Sequence, residues 1–162
     1  MQRLVAAALA NDRGWYSAVG AIDTEKVEVL ETALDRLSAD SGERALVLAT
    51  LCSELVWASL LERRETLAEE ALRIAEASGD EAIIVRALNT VSFPLLVPSL
   101  LEQSLARTAD ALSRAERLGD PLLLFWAAWW RGQAAQLAGT STRWTGASRS
   151  PGPWPSNSNS QC

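Results

Sequence analysis

The chain contains no histidine, which removes the commonest general base and the commonest metal ligand together. Its two cysteines, Cys52 and Cys162, are too few and too far apart for a zinc site or a disulfide framework, and they fit a reducing cytoplasm. No stretch reaches the roughly 18 apolar residues that a membrane span needs, so a soluble chain with no membrane partner is expected. A GxxxxGKS or GxxxxGKT phosphate loop is also missing. Basic residues are in deficit: 15 Lys and Arg against 20 Asp and Glu leave a net charge of −5. The two arginines beyond Gly139, where there is no acid, make the rest of the chain more negative still. A polyanion such as nucleic acid is a poor partner for it. Together these absences predict a chain that is not an enzyme, with no catalytic residue, cofactor or metal.

What the chain does have is an internal repeat. Ser59-Leu60-Leu61-Glu62 returns as Ser99-Leu100-Leu101-Glu102, Ala71-Leu72 as Ala111-Leu112, Ala75-Glu76 as Ala115-Glu116, and Gly79-Asp80 as Gly119-Asp120, all at an offset of 40 without a gap. A fixed period in this range marks a stacked helical-repeat array, in which a helix pair too small to bury its own apolar face leans on its neighbours. With 162 residues and 48% hydrophobic residues, one such domain has ample material for a core. The predicted fold is all-α: tandem antiparallel helix pairs stacked as a tetratricopeptide-like right-handed solenoid of about seven helices over residues 1–139.

The helix boundaries are written in capping chemistry. Ser59 and Ser99 each have a glutamate three residues on, the pattern of a capping box. Gly79 and Gly119 supply a left-handed residue that ends one helix, and Asp80 and Asp120 cap the next, the second time with Pro121 at the first helical position. Upstream, Met1 to Ala10 has an apolar run at the short limit for a signal peptide and is expected to be a helix instead, with Asn11 to Ile22 as a connector. Asp23 should cap a helix to about Leu37, with Val27, Leu30, Leu34 and Leu37 on one face and Ile22 stapled against Val27. Ser41 should cap the next, with Ala45, Leu48, Leu51, Leu55 and Ala58 inward. Helices Leu60–Ser78 and Leu100–Leu118 are amphipathic, with their arginines and carboxylates expected outside and Leu72 and Leu112 on the buried stripe. Helix Glu81–Ser92 should stop because Pro94 lacks an amide and disfavours helical geometry at Phe93, leaving Phe93 to Pro98 as an apolar bend.

Pro121 to about Ala138 is apolar nearly all round, and such a helix expects cover on both sides. Leu124, Trp126, Ala127, Trp130 and Ala134 are candidates for an uncovered patch, which predicts a protein partner or self-association. After Gly139 the composition changes: residues 140–162 have no Leu, Ile, Val, Asp, Glu or Lys, but six serines and three prolines. Two readings stay open, a disordered tail or an out-of-frame continuation in which one lost nucleotide has replaced the next amphipathic helix and truncated the array.

The pattern Arg13-Gly14, Ser17, Gly20, Asp23, Glu25, Val27, Leu30-Glu31 and Ala33-Leu34, followed by Ala87-Leu88-Asn89 and the two Gly-Asp junctions, resembles the tetratricopeptide-like helical region of large actinobacterial signalling ATPases. Those proteins join an ATPase module to an adenylate or guanylate cyclase domain or to a LuxR-type transcriptional-regulator domain. The resemblance covers about Met1 to Gly139 and implies a non-catalytic sensor or interaction arm from signal transduction. It also implies close-packing roles for Ser92 and Gly132 in one helix of the pair and for Ala71 and Ala111 in the other.

Individual residues admit sharper roles beside plain structural ones. Glu69-Glu70 with Asp110 reads as a solvated helix face before an acid or metal pair. Arg63-Arg64, beside Glu62 and Glu65, reads as a surface ion-pair cluster before a phosphate grip. Cys52 reads as a buried thiol. Phe125, Trp126, Trp129 and Trp130 form the candidate interaction or ligand face, the alternative function being an effector sensor with an aromatic groove near Trp126.

Overall fold

The computed structural model describes residues 20–58 and 60–139. Six α-helices follow in order: α1 (Thr24–Leu34), α2 (Gly42–Glu54), α3 (Leu61–Ser78), α4 (Glu81–Ser92), α5 (Leu101–Leu118) and α6 (Pro121–Leu137), with no strand among the described residues. The all-α expectation therefore holds. The expected helix over Met1–Ala10, the connector up to residue 19 and the tail from residue 140 lie outside the described residues.

Helices α2, α4 and α6 touch in series and form a spine, while α3 lies against both α2 and α4, and α5 against both α4 and α6. Helix α1 packs on α2. The Gly-Asp junctions do what local chemistry demands. Gly79 and Gly119 adopt φ of 68° and 73°, a left-handed turn that a Cβ would strain. Asp80 Oδ1 then accepts from the amides of Ala82 and Ile83, and Asp120 Oδ1 from those of Leu122 and Leu123. Asp23 and Ser41 cap α1 and α2 in the same way, accepting from Lys26 N and Arg44 N.

The structure departs from expectation at several helix ends. Ser99 is no cap: it sits inside a 3₁₀ turn, Pro98–Leu100, and α5 starts from Leu100 without a side-chain cap. Pro98, with φ already fixed, takes the first position of that turn and carries Ser99 past the capping place. Helix α3 likewise starts from Leu60 without a side-chain cap, and Ser59 lies outside the described residues. Helix α1 stops at Leu34 rather than Leu37, because Arg44 from α2 donates to the Leu34 carbonyl at 2.8 Å. Ile22 stays exposed. Helix α2 ends at Glu54, and Leu55–Trp57 continue as a 3₁₀ turn. Phe93 keeps helical angles, φ −63° and ψ −56°, although α4 ends before it.

The core is built on small residues. Ala45, Ala49, Ala68, Ala71, Ala75, Ala87, Ala111, Ala115 and Ala127 are all buried among Leu48, Ile74, Ile84, Val85, Val91 and Leu95. A second cluster, Leu30, Ala33, Val47, Leu51 and Leu55, joins α1 to the other side of α2. The chain's single lysine, Lys26, pairs with Glu54 at 2.6 Å and closes that end, both groups being buried. Leu72 and Leu112, expected on the buried stripe, pack against the core only in part. Ala71 and Ala111 hold the middle, and the two leucines are half-buried at its margin.

A full burial site would lose about 2–5 kcal/mol on Leu→Ala. At the margin, Leu112→Ala is expected to cost about 1–2 kcal/mol in urea melts, and Ala111→Leu, which overpacks the closest approach, about 1–3 kcal/mol. A costly Leu112→Ala beside a tolerated Ala111→Leu would reverse the assignment of the buried face.

Candidate functional site

Helix α6 is the last described element of the spine, and its two sides differ sharply. On the inner side Ala127, Trp130 and Ala134 are buried, and Leu123 and Leu124 pack on the core. Two hydrogen bonds fix the helix there: Asn89 Nδ2 of α4 donates to the Leu123 carbonyl at 3.1 Å, and Arg131 reaches back to the Leu105 carbonyl of α5 at 3.0 Å. On the outer side Leu122 is 63% exposed, Phe125 56% and Trp129 40%, with Ala128 and Gly132 exposed between and beyond them. The uncovered residues are therefore not those expected. Ala127, Trp130 and Ala134 are buried on the side that meets α5 and α4, Leu124 and Trp126 are half-buried, and the exposed stripe lies about half a turn round the helix.

The four aromatic candidates consequently divide. Phe125 and Trp129 belong to the open stripe, Trp130 to the core side, and Trp126 to the boundary. They are nonetheless linked. Phe93 stacks on Trp130 at 5.7 Å between ring centroids, Trp130 on Trp126 at 6.5 Å, and Trp126 meets the edge of Phe125 at 5.2 Å. This ladder runs from the bend after α4 to the exposed stripe, and it stiffens the outer part of α6 from beneath.

Comparison with the preceding spine helix defines the open stripe. Shifting by 40 residues places Val85, Leu88, Asn89 and Ser92 of α4 onto Phe125, Ala128, Trp129 and Gly132 of α6. All four α4 positions are buried, and Asn89 among them donates to the Leu123 carbonyl of α6. Their α6 counterparts are exposed. Helix α2 is buried continuously from Ala45 to Cys52. Gly132 does not repeat the close packing of Ser92: a Cβ added at Gly132 would meet nothing within 4 Å.

The polar candidates are absorbed by structural contacts. Glu70 holds Arg44 at 3.3 Å, and Arg114 gathers Asp110, Glu76 and Glu81 into a bridge between α5, α3 and the start of α4. Although burial opposes it, the Asp110 hydrogen bond and the carboxylates of Asp110, Glu76 and Glu81 raise the Arg114 pKa. No cluster of acidic or cysteine side chains that could hold a metal is present among the described residues. Arg63 and Arg64 separate. Arg63 reaches Glu31 at the surface, whereas Arg64 is buried and donates to the Pro94 carbonyl at 2.6 Å. The expected surface cluster is corrected: the bend after α4 leaves a carbonyl without a helical donor, and Arg64 supplies one. Arg107 is also drawn in from the expected outer face, and burial lowers its pKa against the opposing influence of Cys52 and Glu65.

Cys52 is completely buried, its thiol donating to the Arg64 carbonyl at 3.3 Å. Burial pushes its pKa up to about 12, the nearby charges of Arg64 and Arg107 offsetting part of the effect. It is no nucleophile. No family model, curated protein or solved structure matches the chain. The site therefore rests on its own geometry.

The thiol carries a pH signature. Its folded pKa lies above the unfolded value of 9.0, so its contribution is complete below pH 9 and is lost as pH rises toward 12. Within that window stability should fall by about 1.4 kcal/mol per pH unit from this group, a slope that Cys52→Ala removes in urea melts taken from pH 8 to 11. In a Cys162→Ser background Cys52 should resist a thiol reagent until the chain unfolds; prompt reaction of the folded chain would contradict its burial.

Proposed function

We propose that this chain is a non-catalytic helical-repeat interaction module, a tetratricopeptide-like right-handed solenoid. Its job is that of the sensor arm in signal-transduction ATPases whose outputs are cyclic-nucleotide synthesis or transcriptional control. The observation that carries the reading is the register between α4 and α6: the same four positions, 40 residues apart, are buried in one and exposed in the other. An array built this way ends in a face shaped to receive a helical neighbour. Its chemistry fits binding better than catalysis, since Glu70, Glu76, Glu81 and Asp110 are spent on Arg44 and Arg114 and the Cys52 thiol is sealed in the core. The two cysteines and the soluble character suit the cytoplasm.

One observation favours a second reading, a sensor for an aromatic or apolar effector. The ladder from Phe93 through Trp130 and Trp126 to Phe125 couples a half-buried tryptophan to the surface. Such an effector should shift tryptophan emission saturably; an unchanged spectrum across a panel of aromatic effectors leaves the interaction reading alone.

The repeat reading is tested by extending the array. In a chain whose residues from 139 onward are replaced by a copy of residues 99–138, the copy should become helical and the urea midpoint should rise, because α6 gains a cover worth roughly 25 cal/mol per Å² of apolar surface buried. A copy that stays unfolded, with an unchanged midpoint, would overturn the repeat reading. ATP hydrolysis and nucleotide cyclisation by the natural chain should be blank, and measurable turnover would overturn its non-catalytic part.

A further inference from the structure

We infer that Arg64 of α3 and Arg107 of α5 form a binding site for a small oxyanion, a carboxylate or a phosphate group. Both helices send polar side chains to the bend after α4. Arg64, only 8% exposed, donates from Nη1 to the Pro94 carbonyl at 2.6 Å. Ser104 of α5 donates to the neighbouring Leu95 carbonyl at 3.0 Å, and Arg107 follows Ser104 by three residues, on the same face of the helix. Each guanidinium nonetheless keeps a buried nitrogen without an acceptor, Nε of Arg64 and Nη1 of Arg107.

Arg114 shows how this side of α5 treats a cation when the chain itself supplies the anions. Lying two turns beyond Arg107 on the same face, it takes Glu76 of α3, Glu81 and Asp110 as partners. The corresponding carboxylate for Arg107 is Glu65, three turns before Glu76 on α3. Glu65 raises the Arg107 pKa from a distance, but among the described residues neither Arg107 nor Arg64 has an ion pair. The Cys52 thiol, close enough to feel both charges, is kept neutral by burial, its pKa pushed up to about 12. Two cations are thus drawn into the interior with no anion in bonding contact, and a bound anion offsets the cost of that desolvation. Water would satisfy the free N–H groups but leave both charges uncompensated. The planar guanidinium fork matches the paired oxygens of a carboxylate or a phosphate, and Arg107 is only half-buried, so one member of the pair still reaches solvent.

Nuclear magnetic resonance on the full chain, labelled with nitrogen-15 at arginine, tests this. Inorganic phosphate or succinate is titrated against chloride at constant ionic strength. The Arg64 Nε–H resonance should move downfield and saturate, and the melting temperature should rise in parallel. A response to phosphate alone identifies a phosphate ligand, to succinate alone a carboxylate, and to both a site that reads the shared oxyanion. Arg107→Gln should weaken the response at least tenfold without lowering the melting temperature in chloride, because it removes a charge that has no counter-ion there. Arg114→Gln, which removes a cation already paired, should leave the shift of the Arg64 resonance in place. An Arg64 resonance indifferent to both anions, or a response that survives Arg107→Gln, would overturn the proposal. Neither result bears on the repeat reading, which the extended chain tests separately.

Discussion

Each spine helix is apolar on more than one face, and burying those faces requires helices contributed by other parts of the chain. This constraint organises the molecule. Helix α2 is closed on all sides because α1, α3 and α4 surround it, α4 because α2, α3, α5 and α6 do. What lets so many neighbours crowd one helix is the choice of alanine at the closest approaches, Ala45, Ala71, Ala87, Ala111 and Ala127 among them. Small side chains bring the backbones together, and the dispersion contacts so gained act alongside the apolar area removed from water.

The parts of this fold that were legible in the sequence are those decided within four residues. A glycine followed by an aspartate terminates one helix and caps the next by local hydrogen bonds, so both junctions and the start of α6 could be placed from Gly79-Asp80 and Gly119-Asp120-Pro121 alone. The capping box at Ser99 was misread for a reason equally local: Pro98 beside it competes for the turn. The fate of Arg64 was not legible, since its acceptor at Pro94 lies 30 residues away and is a backbone carbonyl with no signature in the sequence. The open face of α6 was only half legible. A helix apolar all round announces that it needs cover, but Trp126, Trp129 and Trp130 are equally apolar, and only the packing of α5 and α4 decides which turns inward.

Polar interactions in the molecule fasten junctions rather than supply the bulk of its stability. Arg44 links the end of α1 to α2 and α3, Arg114 links α5 to α3 and α4, and Asn89 and Arg131 clip α6 to the helices beneath it. Exposed pairs such as Arg63 with Glu31 contribute little. The buried Lys26–Glu54 pair is costly to desolvate, and its value lies in fixing one alignment of α1 on α2. Each of these contacts joins helices that the apolar core has already brought together. The electrostatics therefore select a register among packings that burial alone would leave close in energy.

The distribution of charge then reports which helix faces are meant for water. Helices α3 and α5 carry rows of arginine and carboxylate on their outer sides, and those rows pair with each other or with solvent. Helix α6 carries Leu122, Phe125, Ala128 and Trp129 in the corresponding place and sends its one charge inward. A solvent face under no other demand would be expected to hold charge, as those of α3 and α5 do, because charge keeps a surface soluble and repels wrong partners. Its absence from one side of one helix, at the same positions that are buried in α4, leaves that side apolar where α3 and α5 present charge.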